Sequence, residues 1–175
     1  VYKVFGGSNQ NGHVNNTVVN NNGGKVLCNT YGGGNVASVG VSNNNLKGTE
    51  YTYVMPDGIN SYTTVCGNAF AGGASAPVGN ANITLDGSSL INVYGGSDRD
   101  NVVTTSNVNI ISGKTVNVFG GNNYGGSTTT SNVTINETDS FNSSGNKVMG
   151  NNLKVTNVSS TEFRNTLNKD IVCEV

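Results

Sequence analysis

The sequence predicts an all-β chain wound as a right-handed parallel β-helix, and three observations carry that expectation. Aromatic residues followed by paired glycines recur at Phe5-Gly6-Gly7, Tyr31-Gly32-Gly33, Phe70-Ala71-Gly72-Gly73, Tyr94-Gly95-Gly96 and Phe119-Gly120-Gly121. The best-matched corners carry their flanks with them. Leu90-Ile91-Asn92-Val93-Tyr94 aligns with Thr115-Val116-Asn117-Val118-Phe119, and a second pattern takes the same step of 25 residues at Asn82-Ile83-Thr84-Leu85, Asn107-Val108-Asn109-Ile110 and Asn132-Val133-Thr134-Ile135. A fixed step of that size marks a solenoid. The composition, with 25 Gly, 2 Pro, no Trp and abundant Val, Thr, Asn and Ser, is poor in helix formers and rich in strand and corner residues. Only 34% of residues are hydrophobic and 11% charged, values also met in disordered chains, but disorder gives no reason for two strand patterns to stay in register through successive repeats.

In chain order, the first elements are short strands ending at the Phe5 and Tyr31 corners. A sharp corner between two faces of a solenoid needs a residue with positive φ or no Cβ, and glycine meets both demands. Asparagine, heavily used here, is the other corner residue: it tolerates the left-handed region, bonds local backbone and stacks into ladders when coils repeat. The period then breaks, with 39 residues between Gly33 and Gly72. The excess over one coil is expected as an insertion at about 42–62, with Pro56-Asp57-Gly58 as its turn. Beyond it, Val108-Asn109-Ile110 and Val116-Asn117-Val118 alternate with period two, which turns Val and Ile inward and Asn outward. The columns Ile83, Val108, Val133 and Leu85, Ile110, Ile135 are expected to form the core of one face, with Ile91, Val116 and Val93, Val118 on the next. From Phe141 the repeat fades, although Leu153-Lys154-Val155 still resembles it, and charge rises through Glu162, Arg164 and Lys169. Ser159 with Glu162 forms a capping-box pattern, and Phe163 with Leu167 shares a helical face. Residues 141–175 are therefore expected to be an irregular cap or junction over the last coil. The chain reads as one domain, 1–175, with regular coils over about 1–140; by length alone about seven coils would fill it. An antiparallel β-sandwich is the runner-up fold.

The chemistry legible in the chain is sparse. A net charge of -1 with scattered Lys and Arg offers no stripe for nucleic acid. No apolar run approaches the roughly 20 residues that cross a bilayer. The sequence opens at Val1, with no leader in view, as expected of a processed protein or an excised fragment. Cys28, Cys66 and Cys173 lack the spacing of metal ligands. Cys28 falls in the column of Ile91 and Val116 and reads as a small buried hydrophobe; the alternative is a disulfide with Cys66, if the insertion brings the two together. His13 is expected in a solvated turn, leaving no base for a nucleophile triad. Asp98 and Asp100 flank a turn tip, where charges are solvated. Gly95-Gly96-Ser97-Asp98 approaches a calcium-binding turn, but Gly120-Gly121-Asn122-Asn123 repeats no carboxylate one coil later. An outward threonine array of the ice-binding kind is interrupted at Asn109, between Thr84 and Thr134. No cofactor, metal or catalytic residue is assigned.

The repeated Val-x-Val-(Phe/Tyr)-Gly-Gly-(Asn/Ser) unit, over about residues 1–35 and 65–136, resembles the glycine-corner repeats of large bacterial and archaeal cell-surface proteins termed adhesin-like. The resemblance implies a non-catalytic extracellular surface module, structural or adhesive, that binds a glycan or a partner protein. A polysaccharide lyase or glycoside hydrolase on the same scaffold is the alternative. Contact is expected in one of two places. Three of the seven tyrosines, Tyr51, Tyr53 and Tyr62, gather at the insertion, where amphipathic rings suit a contact surface and self-packing is the plainer reading. Phe5, Tyr31, Tyr94 and Phe119 share one repeat position that alternation turns outward. There they either stack as a ladder, the expected arrangement, or lie exposed as a strip for sugar rings or protein.

Overall fold

The computed structural model describes residues 1–51 and 66–135, together with the backbone of 153–156. The described residues make five coils and contain no helix. The first coil lays down β1 (Lys3–Phe5), β2 (His13–Asn22) and β3 (Lys25–Val26); the second, β4 (Asn29–Tyr31), β5 (Ser38–Lys47) and β6 (Glu50–Tyr51). The third supplies β7 (Asn68–Phe70), β8 (Val78–Asp86) and β9 (Ser88–Ser89); the fourth, β10 (Asn92–Tyr94), β11 (Val102–Ile110) and β12 (Gly113–Lys114). The fifth ends with β13 (Asn117–Phe119) and β14 (Ser127–Ile135), and β15 (Leu153–Thr156) stands apart. Equivalent strands stack into a corner sheet β1-β4-β7-β10-β13, a long sheet β2-β5-β8-β11-β14-β15 and a narrow sheet β3-β6-β9-β12. The fold is a parallel β-solenoid. Val108 pairs in parallel with Ile83 on one side and Val133 on the other, which excludes the sandwich.

Alternation builds the long sheet as expected. Ile83, Val108, Val133 and Leu85, Ile110, Ile135 form two adjacent columns in the core, each side chain almost wholly buried. Full burial of a Val or Ile stabilises by about 1.5–3 kcal/mol, so stacked columns of this kind hold the coils together. The corner sheet contributes Val93 and Val118 to the same core. The neighbouring pair departs from expectation, since Val116 is 37% exposed and Ile91 only half-buried. Strict alternation does not survive the bend between narrow and corner sheets. There Leu90 and Thr115 take the buried place, while Ile91 and Val116 are linked through backbone, Val116 N–H donating to Ile91 O at 2.9 Å.

Three further expectations are corrected. The insertion does not begin at residue 42, because Ser42–Lys47 lie within β5, paired to β8 at 39 residues and to β2 at 25. Val26 still pairs with Tyr51 at 25 residues, whereas Thr30 pairs with Ala69 at 39, so the extra residues enter between Tyr51 and Asn68. Polar residues mask β5: Asn44 occupies the inward column of Ile83 and is fully buried, its Nδ2 donating to Phe70 O at 2.9 Å. Cys28 is no free thiol. It is buried in a disulfide to Cys66, with the Cα atoms 4.2 Å apart. Finally, the parallel stack stops at β14, because β15 pairs with it antiparallel, Ile135 opposite Leu153. Among the described residues five coils stand, where length alone would allow the chain about seven. Ser159, Glu162, Phe163, Leu167 and Cys173 lie outside the described residues.

The glycine corners satisfy one of their two demands. Gly32 and Gly95 have ordinary negative φ, but a Cβ on Gly32 would sit 2.4 Å from Ala71 O, and on Gly95 2.5 Å from Gly120 O. They are needed because the next coil passes too close for a side chain. Positive φ falls at other glycines, among them Gly48 and Gly87 between the long and narrow sheets and Gly125 and Gly126 in the loop before β14.

Candidate functional site

In the corner sheet, residues flanking the inward Val93 and Val118 must point away from the core. The position that follows them is aromatic in every coil. Phe5, Tyr31, Phe70, Tyr94 and Phe119 form one continuous stack, with centroids 4.7, 4.9, 4.9 and 4.7 Å apart and planes within 8° of parallel. Coil spacing sets that separation, at the short end of the offset-stacking range. Phe70 supplies the middle rung, in addition to the four expected strip residues. Tyr31, Phe70, Tyr94 and Phe119 form a buried cluster of their own, separate from the main core, and Phe5 at the end is 37% exposed. The expected ladder is thus the observed arrangement, and only its end ring opens widely to solvent.

An asparagine ladder runs beside the rings, two residues earlier on β4, β7, β10 and β13. Asn92 Nδ2 donates to Asn68 Oδ1 at 2.7 Å and Asn117 Nδ2 to Asn92 Oδ1 at 2.8 Å, while Asn29 Nδ2 donates to the Tyr31 hydroxyl at 3.2 Å. Buried amides must be bonded, and a ladder meets that need with identical residues.

The corner loops fold back along the rim of the stack and leave a groove of about 610 Å³. All five coils line it. Lys3 and Phe5 come from the first, Tyr31 and Asn35 from the second, Ala74 and Ser75 from the third. The fourth contributes Asp98, Arg99 and Asp100, the fifth Asn123 and Tyr124. Asp98 is half-buried, not a freely solvated tip: it accepts from the Tyr31 hydroxyl at 3.2 Å and from Asn123 Nδ2 at 2.8 Å. Burial, with the Asp98 carboxylate beside it, raises the Tyr31 hydroxyl well above the ordinary tyrosine range. Arg99 and Tyr124 pair through backbone across adjacent coils, and Asp100 N–H donates to Tyr124 O at 2.8 Å. Those bonds hold Asp100 at φ 25°, a conformation uncommon for a non-glycine residue.

The other predicted site residues do not join this groove. Tyr51 belongs to the regular coil, buried in the main core, with its hydroxyl 2.5 Å from Thr30 Oγ1 and its pKa raised, chiefly by burial. Tyr53 and Tyr62 lie outside the described residues. His13 begins β2, not a turn, with Nδ1 2.8 Å from Ser38 Oγ. Among the described residues, no three His, Cys, Asp or Glu side chains gather as metal ligands. No helix there is long and apolar enough to cross a membrane. Sequence reasoning misses Tyr124, which is 70% exposed at the groove end. Its only signal is the 25-residue step from Arg99, outside the strand pattern. Comparison of the chain with protein-family models, curated proteins and solved structures finds no match.

Proposed function

We propose that this chain is a non-catalytic module of an extracellular or cell-surface protein, of the adhesin-like kind its corner repeats resemble: a stiff stack of coils that presents a contact surface to a glycan or partner. The observation that carries this reading is the groove along the aromatic ladder, built from corresponding corners of all five coils. Concave sites with apolar walls and a few convergent polar groups are the usual places for ligands. The buried Cys28–Cys66 disulfide supports the location, since such bonds persist in oxidising compartments. The non-catalytic reading draws support from Asp98, whose two carboxylate oxygens each take a donor from another coil, as structural groups do.

Asp98 and Asp100 together in the groove favour a second reading, a polysaccharide lyase or glycoside hydrolase, because paired carboxylates carry glycoside hydrolysis. Incubation with pectin, alginate and host glycans, followed by analysis of released oligosaccharides, separates the two. The expected outcome is retention of glycan without cleavage. Reproducible turnover that disappears in Asp98→Ala overturns the non-catalytic reading.

A further inference from the structure

Resting on that reading, we propose that the groove binds an extended, electrically neutral polysaccharide chain of hexopyranose units, lying parallel to the solenoid axis. The direction follows from the lining. Lys3 and Phe5 stand at the first coil and Tyr124 at the fifth, so the groove crosses four coil steps, roughly 19 Å at ~4.8 Å each. A monosaccharide would fill one step, whereas a chain in extended conformation advances by about one coil spacing per sugar and meets a corner loop of the next coil at each.

The chemistry of the walls narrows the class. Phe5 at one end and the widely exposed Tyr124 at the other offer aromatic surface, against which the axial C–H bonds of a pyranose pack. Between them, Asn35, Ser75 and the Asp98 carboxylate offer donors and acceptors for sugar hydroxyls. Lys3 and Arg99 are matched in number by Asp98 and Asp100, so the groove has no net charge with which to draw in a polyuronate or a nucleic acid. Arg99 and Lys3 form no ion pair among the described residues, Lys3 Nζ lying 5.6 Å over the Tyr2 ring, and both side chains carry donors for hydroxyl oxygens.

The test is isothermal titration of the whole chain with β-1,4-linked gluco- and manno-oligosaccharides of increasing length, alongside oligogalacturonate and a neutral polypeptide. Affinity is expected to climb with each added unit to about four, the number of coil steps crossed, and then level off. Tyr124→Ala, whose ring is mostly in solvent and whose loss is expected to leave the thermal melting temperature unchanged, is expected to weaken binding about tenfold, the scale of one well-placed aromatic contact. Val18→Ser, on the exposed long sheet away from the groove, is expected to bind as the parent does. Preference for oligogalacturonate or the polypeptide overturns the neutral-glycan assignment. Glycan binding that survives undiminished in both Tyr124→Ala and Arg99→Ala overturns the groove while leaving the surface-module reading standing. Failure to bind any glycan overturns the proposal, and failure also to bind a partner protein or cell surface overturns that reading with it.

Discussion

Asparagine does different work here according to its place in the coil. On the outer face of the long sheet, Asn43, Asn82, Asn107 and Asn132 form a second ladder, with Nδ2-to-Oδ1 distances of 3.2, 2.8 and 2.9 Å, every amide donating toward the earlier coil. One position inward, Asn44 replaces an aliphatic residue and bonds a corner carbonyl instead. The same residue type at these sites is indistinguishable by composition, which is why β5 is illegible although its partner strand β8 is plain. Tyrosine shows a similar split, and it leads to a pH dependence. Tyr31 and Tyr51 are both buried, and desolvation above all keeps their hydroxyls protonated at pH values where an exposed tyrosine ionises. Folding thus favours the acid form, so the stability they confer is complete below the unfolded pKa and is lost as pH rises toward the folded one. Urea denaturation is expected to show stability falling above about pH 10, by up to about 1.4 kcal/mol per pH unit for each tyrosine. Tyr51→Phe is expected to reduce that slope by half; an unchanged slope counts against this account.

At the scale of the element, the corner is where one coil is fitted to the next. Gly95 lies under Gly120 O and the Val108 side chain, while Gly121, on the last coil, would meet only Thr128 at 3.5 Å. Gly95→Ala is therefore expected to lower stability by about 1–3 kcal/mol, the usual cost of overpacking, and Gly121→Ala to stay within about 0.5 kcal/mol. Equal losses in chemical denaturation contradict the close-approach account of these glycines. Period-two alternation makes β8, β11 and β14 legible, and the ladder legible from Val93-Tyr94 and Val118-Phe119. It fails at Ile91 and Val116, where the chain bends and the side chains lose their fixed sides. The groove is less legible still. Its walls come from loops such as Asp98–Asp100 and Tyr124, which follow the coil period in position but not in residue type.

For the whole molecule, the repeat explains the stack but not its interruption or its end. The 39-residue coil becomes intelligible only with the Cys28–Cys66 bond in place, and two cysteines 38 residues apart announce no pairing by their spacing. Chain-entropy arguments assign such a link about 4 kcal/mol, so reduction under mild denaturant is expected to lower the unfolding free energy by roughly that amount. A reduced chain as stable as the oxidised one sinks that assignment. The register on either side of the interruption has a wider consequence. Val26 opposite Tyr51 and Thr30 opposite Ala69 are held as if nothing lay between, while the sulfur bridge joins the preceding coil to the residues that resume the repeat. That corner is a splice point with its own clasp. Exchange of residues 52–65 for another segment is therefore expected to leave the register of the strands on either side unchanged.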